Sequence, residues 1–172
     1  MDEMLKIAQD RIGALIGPEG RTKRKIEQST NCRINIDSKT GEVNLESDSA
    51  GLDFYNALNI IKAIARGFSP ENAFLLLNEE NYLEIINLRD LVKTKKAIEV
   101  KKGRVIGKQG SARMQIEEET STKIAVYGRT IAIIGNAEGM ERARKAIEML
   151  LRGAKHTTTF RTLEHNNNEF EI

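Results

Sequence analysis

The chain has 172 residues, 40% hydrophobic and 30% charged, with a formal net charge of +2, a composition that suits a folded domain in water and is long enough for one large domain or two small ones. Aromatic residues reach only 5% and tryptophan is absent, which argues against a single-strand binder that works mainly by ring stacking. The lone cysteine, Cys32, excludes an internal disulfide or a multi-cysteine zinc site, and no apolar stretch approaches the ~20 residues of a membrane span.

A net charge this small says little about partners, but its distribution does. Arg11 to Arg33 holds six basic residues against Glu19 and Glu27, a local +4. Within it lies the turn sequence Gly17-Pro18-Glu19-Gly20, followed by Arg21, Lys23, Arg24 and Lys25. Alternation predicts a strand over Arg33–Asp37, a turn at Ser38–Gly41 and a second strand near Val43–Leu45. A helix is expected from about Gly51 to Arg66, closed by Gly67. Ser69-Pro70-Glu71 reads as a helix start, with serine as N-cap and proline in the first turn, running to near Asn78. Tyr82–Ile86 alternates as a strand, and a helix leads through Ala97 to Ile106. Ala97–Val100 is an alternative place for that strand.

A second basic cluster follows, with five cations and no acid between Lys101 and Arg113, around Gly107-Lys108-Gln109-Gly110. Ser111–Thr120 suits a helix with Met114 and Ile116 as its apolar positions. Lys123–Tyr127 and Ile131–Ile134 read as strands joined by a turn at Gly128. Asn136 suits the N-cap of a helix that runs to Arg152 and stops at Gly153.

The two halves are copies of one unit. With an offset of 90, Ile16-Gly17 falls on Ile106-Gly107, Gly20 on Gly110 and Lys23 on Arg113. Ile26-Glu27 falls on Ile116-Glu117, Thr30 on Thr120, and Arg33-Ile34 on Lys123-Ile124. Helix, I-G-x-x-G turn, helix, strand, turn, strand, helix is the outline of a KH domain. The fold class expected is therefore α+β, as two tandem type I KH domains (βααββα), each a three-stranded antiparallel sheet with helices on one face. The boundaries expected are 1–68 for the first domain and 69–79 for a connecting helix. The second domain takes 80–153, and 154–172 forms a C-terminal tail, partly helical.

In such a turn two glycines let a phosphate approach the backbone without meeting a Cβ, at the positive end of the next helix. The GXXG loop of a KH domain clamps the backbone of about four nucleotides. The candidate RNA-binding residues are Arg104, Ile106, Gly107, Lys108, Gln109, Gly110, Arg113, Ile116, Lys123 and Ile124, the isoleucines as groove floor or as core. Gly17, Gly20, Arg21, Lys23 and Arg24 form a weaker candidate site, because Pro18 lacks an amide donor and Glu19 opposes a phosphate. Glu117-Glu118-Glu119 reads as a solvated helix face. His156 and His165 have no metal-ligand spacing, and Cys32 reads as a small buried hydrophobe. No cofactor or metal is implied. No nucleophile, base and oxyanion donor come together, so a non-catalytic binder is expected. Met1-Asp2-Glu3 has no signal-peptide pattern, and a cytoplasmic location with no membrane partner is expected.

Several stretches go beyond the generic outline: Ser69-Pro70-Glu71-Asn72-Ala73, Tyr82 to Asp90, Lys102 to Gly110, Val126 to Gly135 and Ala146 to His156. In these the chain resembles the ribosome-assembly KH proteins of archaea and eukaryotes, the partner-of-Nob (Dim-type) family. The resemblance implies binding of single-stranded RNA near the 3′ end of small-subunit ribosomal RNA during subunit maturation, with the second unit as the RNA reader. It also implies protein partners such as the maturation endonuclease or translation initiation factors. Departures are Asn87, where an aspartate is common, and Thr157-Thr158-Thr159-Phe160, where family tails carry a Val-Tyr pair. The rival expectation is a KH-fold scaffold whose main ligands are other assembly or translation proteins.

Overall fold

In the computed structural model, which describes residues 1–168, the first half of the chain runs β1 (Asp2–Lys6), α1 (Gln9–Ile16), α2 (Arg21–Thr30), β2 (Arg33–Asp37), β3 (Glu42–Glu46), α3 (Leu52–Ala65) and a one-turn α4 (Pro70–Ala73). The second half runs β4 (Tyr82–Asn87), α5 (Lys95–Ile106), α6 (Ser111–Thr120), β5 (Lys123–Tyr127), β6 (Thr130–Gly135), α7 (Ala137–Leu151) and α8 (His156–Asn168). Two compact units result, Met1–Glu79 and the chain from Glu80 onward. Each holds a three-stranded antiparallel sheet, in the orders β1-β3-β2 and β4-β6-β5. No helix among the described residues is long and apolar enough to cross a membrane.

The last strand of each sheet is its centre, because it pairs with both others. In the second unit Ile131 and Ile133 of β6 point into a core with Leu88, Val105, Ile116, Ile147 and Leu150. In the first, Val43 and Leu45 of β3 are fully buried, as are Leu15, Ile26, Phe54 and Ile61 of the three long helices. Fully burying one such side chain is worth roughly 1.5–3 kcal/mol, so these contacts fix where each helix lies. The β2–β3 turn is tied locally. The Asp37 carboxylate accepts the amides of Lys39 and Thr40 at 2.9 and 3.2 Å, which hold its pKa below the ordinary value. Gly41 completes the turn at φ 79°.

Three helix starts carry a side-chain cap, at Ser69 and Asn136 as the sequence signals and at Thr94 besides. The side chains of Ser69, Thr94 and Asn136 each accept an amide of the first turn of α4, α5 and α7. Ala97–Val100, the alternative strand position, lies inside α5. The helix expected from Ser69 to near Asn78 is shorter: α4 stops at Ala73 and a 3-10 turn, Phe74–Leu77, follows. That tighter winding places Ala73 and Leu76, three apart, on one buried face. β1 had no sequence signal. Its residues Asp2-Glu3-Met4-Leu5-Lys6 are mostly exposed, and pairing with β3 alone makes them a strand.

Candidate functional site

The two glycine turns have one backbone shape. Gly107 sits at φ 71°, ψ 179° and Gly17 at φ 74°, ψ 172°, a region open almost only to glycine. Gln109 and Glu19 both adopt φ 56°, and Gly110 and Gly20 are left-handed at φ 76° and 75°. A Cβ on Gly107 would lie 2.6 Å from the Ala112 Cβ, and one on Gly17 would lie 2.2 Å from the Thr22 hydroxyl. The first glycine of each turn thus packs against the next helix, and the second meets only the far end of an arginine side chain, Arg24 at 3.4 Å from a Cβ on Gly20 and Arg113 at 3.8 Å from one on Gly110.

Hydrogen bonding leaves the outer edge of the second turn unused. The Gly107 amide donates to the Gly103 carbonyl at 2.9 Å and the Gly110 amide to the Gly107 carbonyl at 3.3 Å, while the Ser111 amide donates to the Lys108 carbonyl. Among the described residues the amides of Lys108 and Gln109 have no protein acceptor, and no side chain caps the α6 N-terminus. Unpaired N–H groups at a helix N-terminus favour an anion. The first turn offers less. Proline at 18 removes one of the two donors, and the exposed Glu19 carboxylate stands 3.8 Å from Arg21.

The structure divides the side chains singled out by sequence. Lys108, Gln109 and Lys123 are exposed, and Ile106 is half-buried. Ile116 and Ile124 are 0% and 4% exposed and belong to the core cluster, so they do not floor a groove. Arg104 is committed elsewhere: its Nε donates to the Leu150 carbonyl at 2.7 Å and its Nη2 to the Ala154 carbonyl at 2.6 Å. It closes the C-terminal end of α7, where carbonyls lack helical partners. Arg11 does the same for α3, through the carbonyls of Ile64 and Phe68.

Arg113 is an internal strut. It is half-buried and pairs with Glu117 one turn on, and Glu117 in turn accepts the Ile124 amide at the start of β5. Burial raises the Glu117 pKa, against the opposing pull of Arg113, the Ile124 amide and Lys123. The first unit repeats the device. Lys23 pairs with Glu27 at 3.2 Å, and Glu27 accepts the Ile34 amide at 2.8 Å. Glu117 is thus not part of a solvated acidic face, although Glu118 is exposed. Gly17 and Gly20 shape the first turn, and Arg21 and Arg24 stay exposed beside it.

One pair of residues went unnoticed in the sequence. Gly103, one helical turn before Gly107, is exposed, and a Cβ there would meet nothing within 4 Å. Gly13 stands in the same state at the matching place in α1. Neither backbone requires glycine, and each costs its helix roughly 0.5–1 kcal/mol relative to alanine. The offset of 90 relates them (103 − 13 = 90), which was the available signal. Each leaves helix backbone bare next to the turn.

Comparisons with known proteins bear on the fold and the family. Residues 82–168 match the sequence profile of the second KH domain of PNO1, described as a eukaryotic type KH-domain (KH-domain type I). Residues 2–51 match the general KH domain. A KH domain-containing protein of Methanocaldococcus jannaschii is 40% identical over 172 residues, covering 98% of this chain and 75% of that protein. The pre-rRNA-processing protein PNO1 of Chaetomium thermophilum is 29% identical over 134 residues, 76% of this chain and 49% of its own. The chain spans about half the length of the eukaryotic relatives it matches. Among solved structures, Dim2p of Pyrococcus horikoshii superposes with a TM-score of 0.88 at 48% identity, covering 96% of this chain and 99% of that one. The a/eIF2alpha–aDim2p–rRNA complex from the same organism superposes at 0.91 and 46% identity, with 99% and 96% covered. By its two KH units, its glycine turns and these likenesses, the chain belongs to the PNO1/Dim2 family of KH proteins.

Proposed function

We propose that this protein grips single-stranded RNA across the Gly107–Gly110 turn, near the 3′ end of small-subunit ribosomal RNA, as a maturation factor of that subunit. The observation that carries the reading is the pair of unpartnered amides at Lys108 and Gln109, set at the uncapped head of α6. Lys108 supplies exposed positive charge beside them, Lys123 adds an exposed cation farther along the same unit, near Glu117, and bare backbone at Gly103 leaves room for a nucleotide to lie close. The names of the fungal relatives, pre-rRNA-processing proteins, and the rRNA in the Pyrococcus complex support the choice of RNA. The protein acts as a binder in the cytoplasm, not as an enzyme. The initiation factor a/eIF2alpha, present in that complex, and the maturation endonuclease are its proposed protein partners. Gly17, Gly20, Arg21 and Arg24 provide a weaker second contact.

A salt titration with two oligonucleotides tests this. A strand of about ten nucleotides from the rRNA 3′ end binds about tenfold more tightly than a scrambled strand, the ~1–3 kcal/mol of one good base-edge contact. The slope of log affinity against log salt is about −2, or ~0.7 per phosphate for about three phosphates on a single strand. Equal affinity for both strands overturns the rRNA assignment.

Gly103 gives a prediction with opposite signs. Gly103→Ala raises stability by roughly 0.5–1 kcal/mol, as for any exposed helix glycine. It also weakens RNA binding several-fold, because the new methyl stands where the strand approaches. Thermal unfolding and filter binding on the same preparation check both halves. A gain in stability with unchanged affinity removes α5 from the binding surface.

A further inference from the structure

Helices α7 and α8 pack side by side and leave a groove of about 210 Å³ between them. Its floor is apolar, made by Ala146 and Met149 of α7 and Leu163 of α8, and Arg142, Lys145 and Arg152 stand around it. Among the described residues Glu148 is the one carboxylate in its lining, so cations outnumber acids three to one. The hydroxyls that α8 turns toward it are already used: Thr159 donates to the Lys155 carbonyl and Thr162 to the Thr158 carbonyl.

Arg142 is the unsettled member. Its Nε is buried with no hydrogen-bond acceptor among the described residues, and its Nη2 reaches the Leu163 carbonyl at only 3.4 Å. Buried donors without partners are rare in native structures and call for a physical cause. A carboxylate satisfies the Nε and Nη2 edge of a guanidinium with two parallel bonds. Among the described residues Lys145 makes an exposed pair with Glu141 at 3.2 Å, an arrangement of little strength that yields readily to a competing acid.

We propose that this groove docks an acidic segment of a partner protein, one that carries a carboxylate next to a leucine-sized side chain. The carboxylate turns Arg142 outward and completes its hydrogen bonds, and the apolar side chain covers Met149 and Leu163. RNA fits less well, because its phosphate backbone offers no leucine-sized side chain to cover Met149 and Leu163. The site lies on a different pair of helices from the Gly107–Gly110 turn and does not depend on the RNA reading.

The test uses the full chain, isotope-labelled, titrated with a short peptide of alternating glutamate and leucine. Saturable shifts at the amides of Ala146–Arg152 and Thr159–Leu163 are expected, and the same peptide with lysine for glutamate leaves them in place. Arg142→Met and, on the exposed rim, Arg152→Glu each weaken peptide binding about tenfold, the loss of one charge-assisted bond. Arg152→Glu serves if Arg142→Met fails to fold. Lys108→Asp with Gln109→Asp leaves peptide binding unchanged. Equal binding of the lysine peptide, indifference to both arginine changes, or displacement of the peptide by single-stranded RNA would each overturn the proposal.

Discussion

Replacing Lys108 and Gln109 together with aspartate lowers RNA affinity about 100-fold and leaves the fold intact. The double change removes one positive and adds two negative charges at the place where a phosphate meets the Lys108 and Gln109 amides. Each unit charge at ~4 Å from a phosphate is worth about 1 kcal/mol even in bulk water. Three such units amount to about 3 kcal/mol, or roughly two orders of magnitude. Both side chains are exposed, so the effect on stability stays within about 0.5 kcal/mol. Filter binding and thermal unfolding report the two quantities separately. The first turn supplies a rescue. Pro18→Lys with Glu19→Gln, added to the disabled protein, recovers about tenfold in affinity, because it restores an amide donor and removes a misplaced charge. The backbone angles of the two turns already agree. Unchanged affinity in the aspartate variant would place the RNA elsewhere.

Gly107→Ala destabilises the second unit by about 3 kcal/mol, whereas Gly110→Ala costs about 1 kcal/mol. A positive φ costs an alanine about 1–2 kcal/mol, and at Gly107 the added Cβ also lies 2.6 Å from the Ala112 Cβ and 2.8 Å from its backbone nitrogen. Overpacking of that kind adds about 1–3 kcal/mol. At Gly110 the nearest obstacle is the far end of the Arg113 side chain at 3.8 Å, so only the backbone penalty remains. Hydrogen exchange at the Ile131 and Ile133 amides of the central strand reads the second unit by itself. Their opening becomes about 100-fold more frequent in Gly107→Ala and about fivefold in Gly110→Ala. Similar values in the two variants would show that contact with Ala112 is not what selects the first glycine.

Much of the fold was legible because it is written twice. Matching Gly17 to Gly107 also matched the helices, the strands and the threonines. Thr30 and Thr120 prove to do one job, each donating to the carbonyl four residues back. The charged partners were harder. Lys23 and Arg113 looked like phosphate contacts because both follow a glycine turn, yet each is tied to a glutamate four residues on. That spacing, Lys23 with Glu27 and Arg113 with Glu117, survives the offset, and it marks a shared structural pair. Arg104 gave no such clue, since its acceptors at Leu150 and Ala154 are 46 and 50 residues away and only the folded chain brings them near. Core and groove isoleucines look alike in sequence too. Depth alone separates Ile116 from Ile106.

The histidine at the root of the last helix carries a consequence for how the molecule transmits force. His156 donates through Nε2 to the carbonyl of Arg104 at 2.8 Å, while Arg104 itself reaches back to the carbonyl of Ala154. This two-way knot fastens α8 to the segment of α5 that ends just before Gly107. A load on the tail is therefore felt three residues upstream of the bend on which the nucleic acid rests. Any ligand of α8 whose binding is coupled to RNA binding through this knot is coupled by the same free energy in both directions.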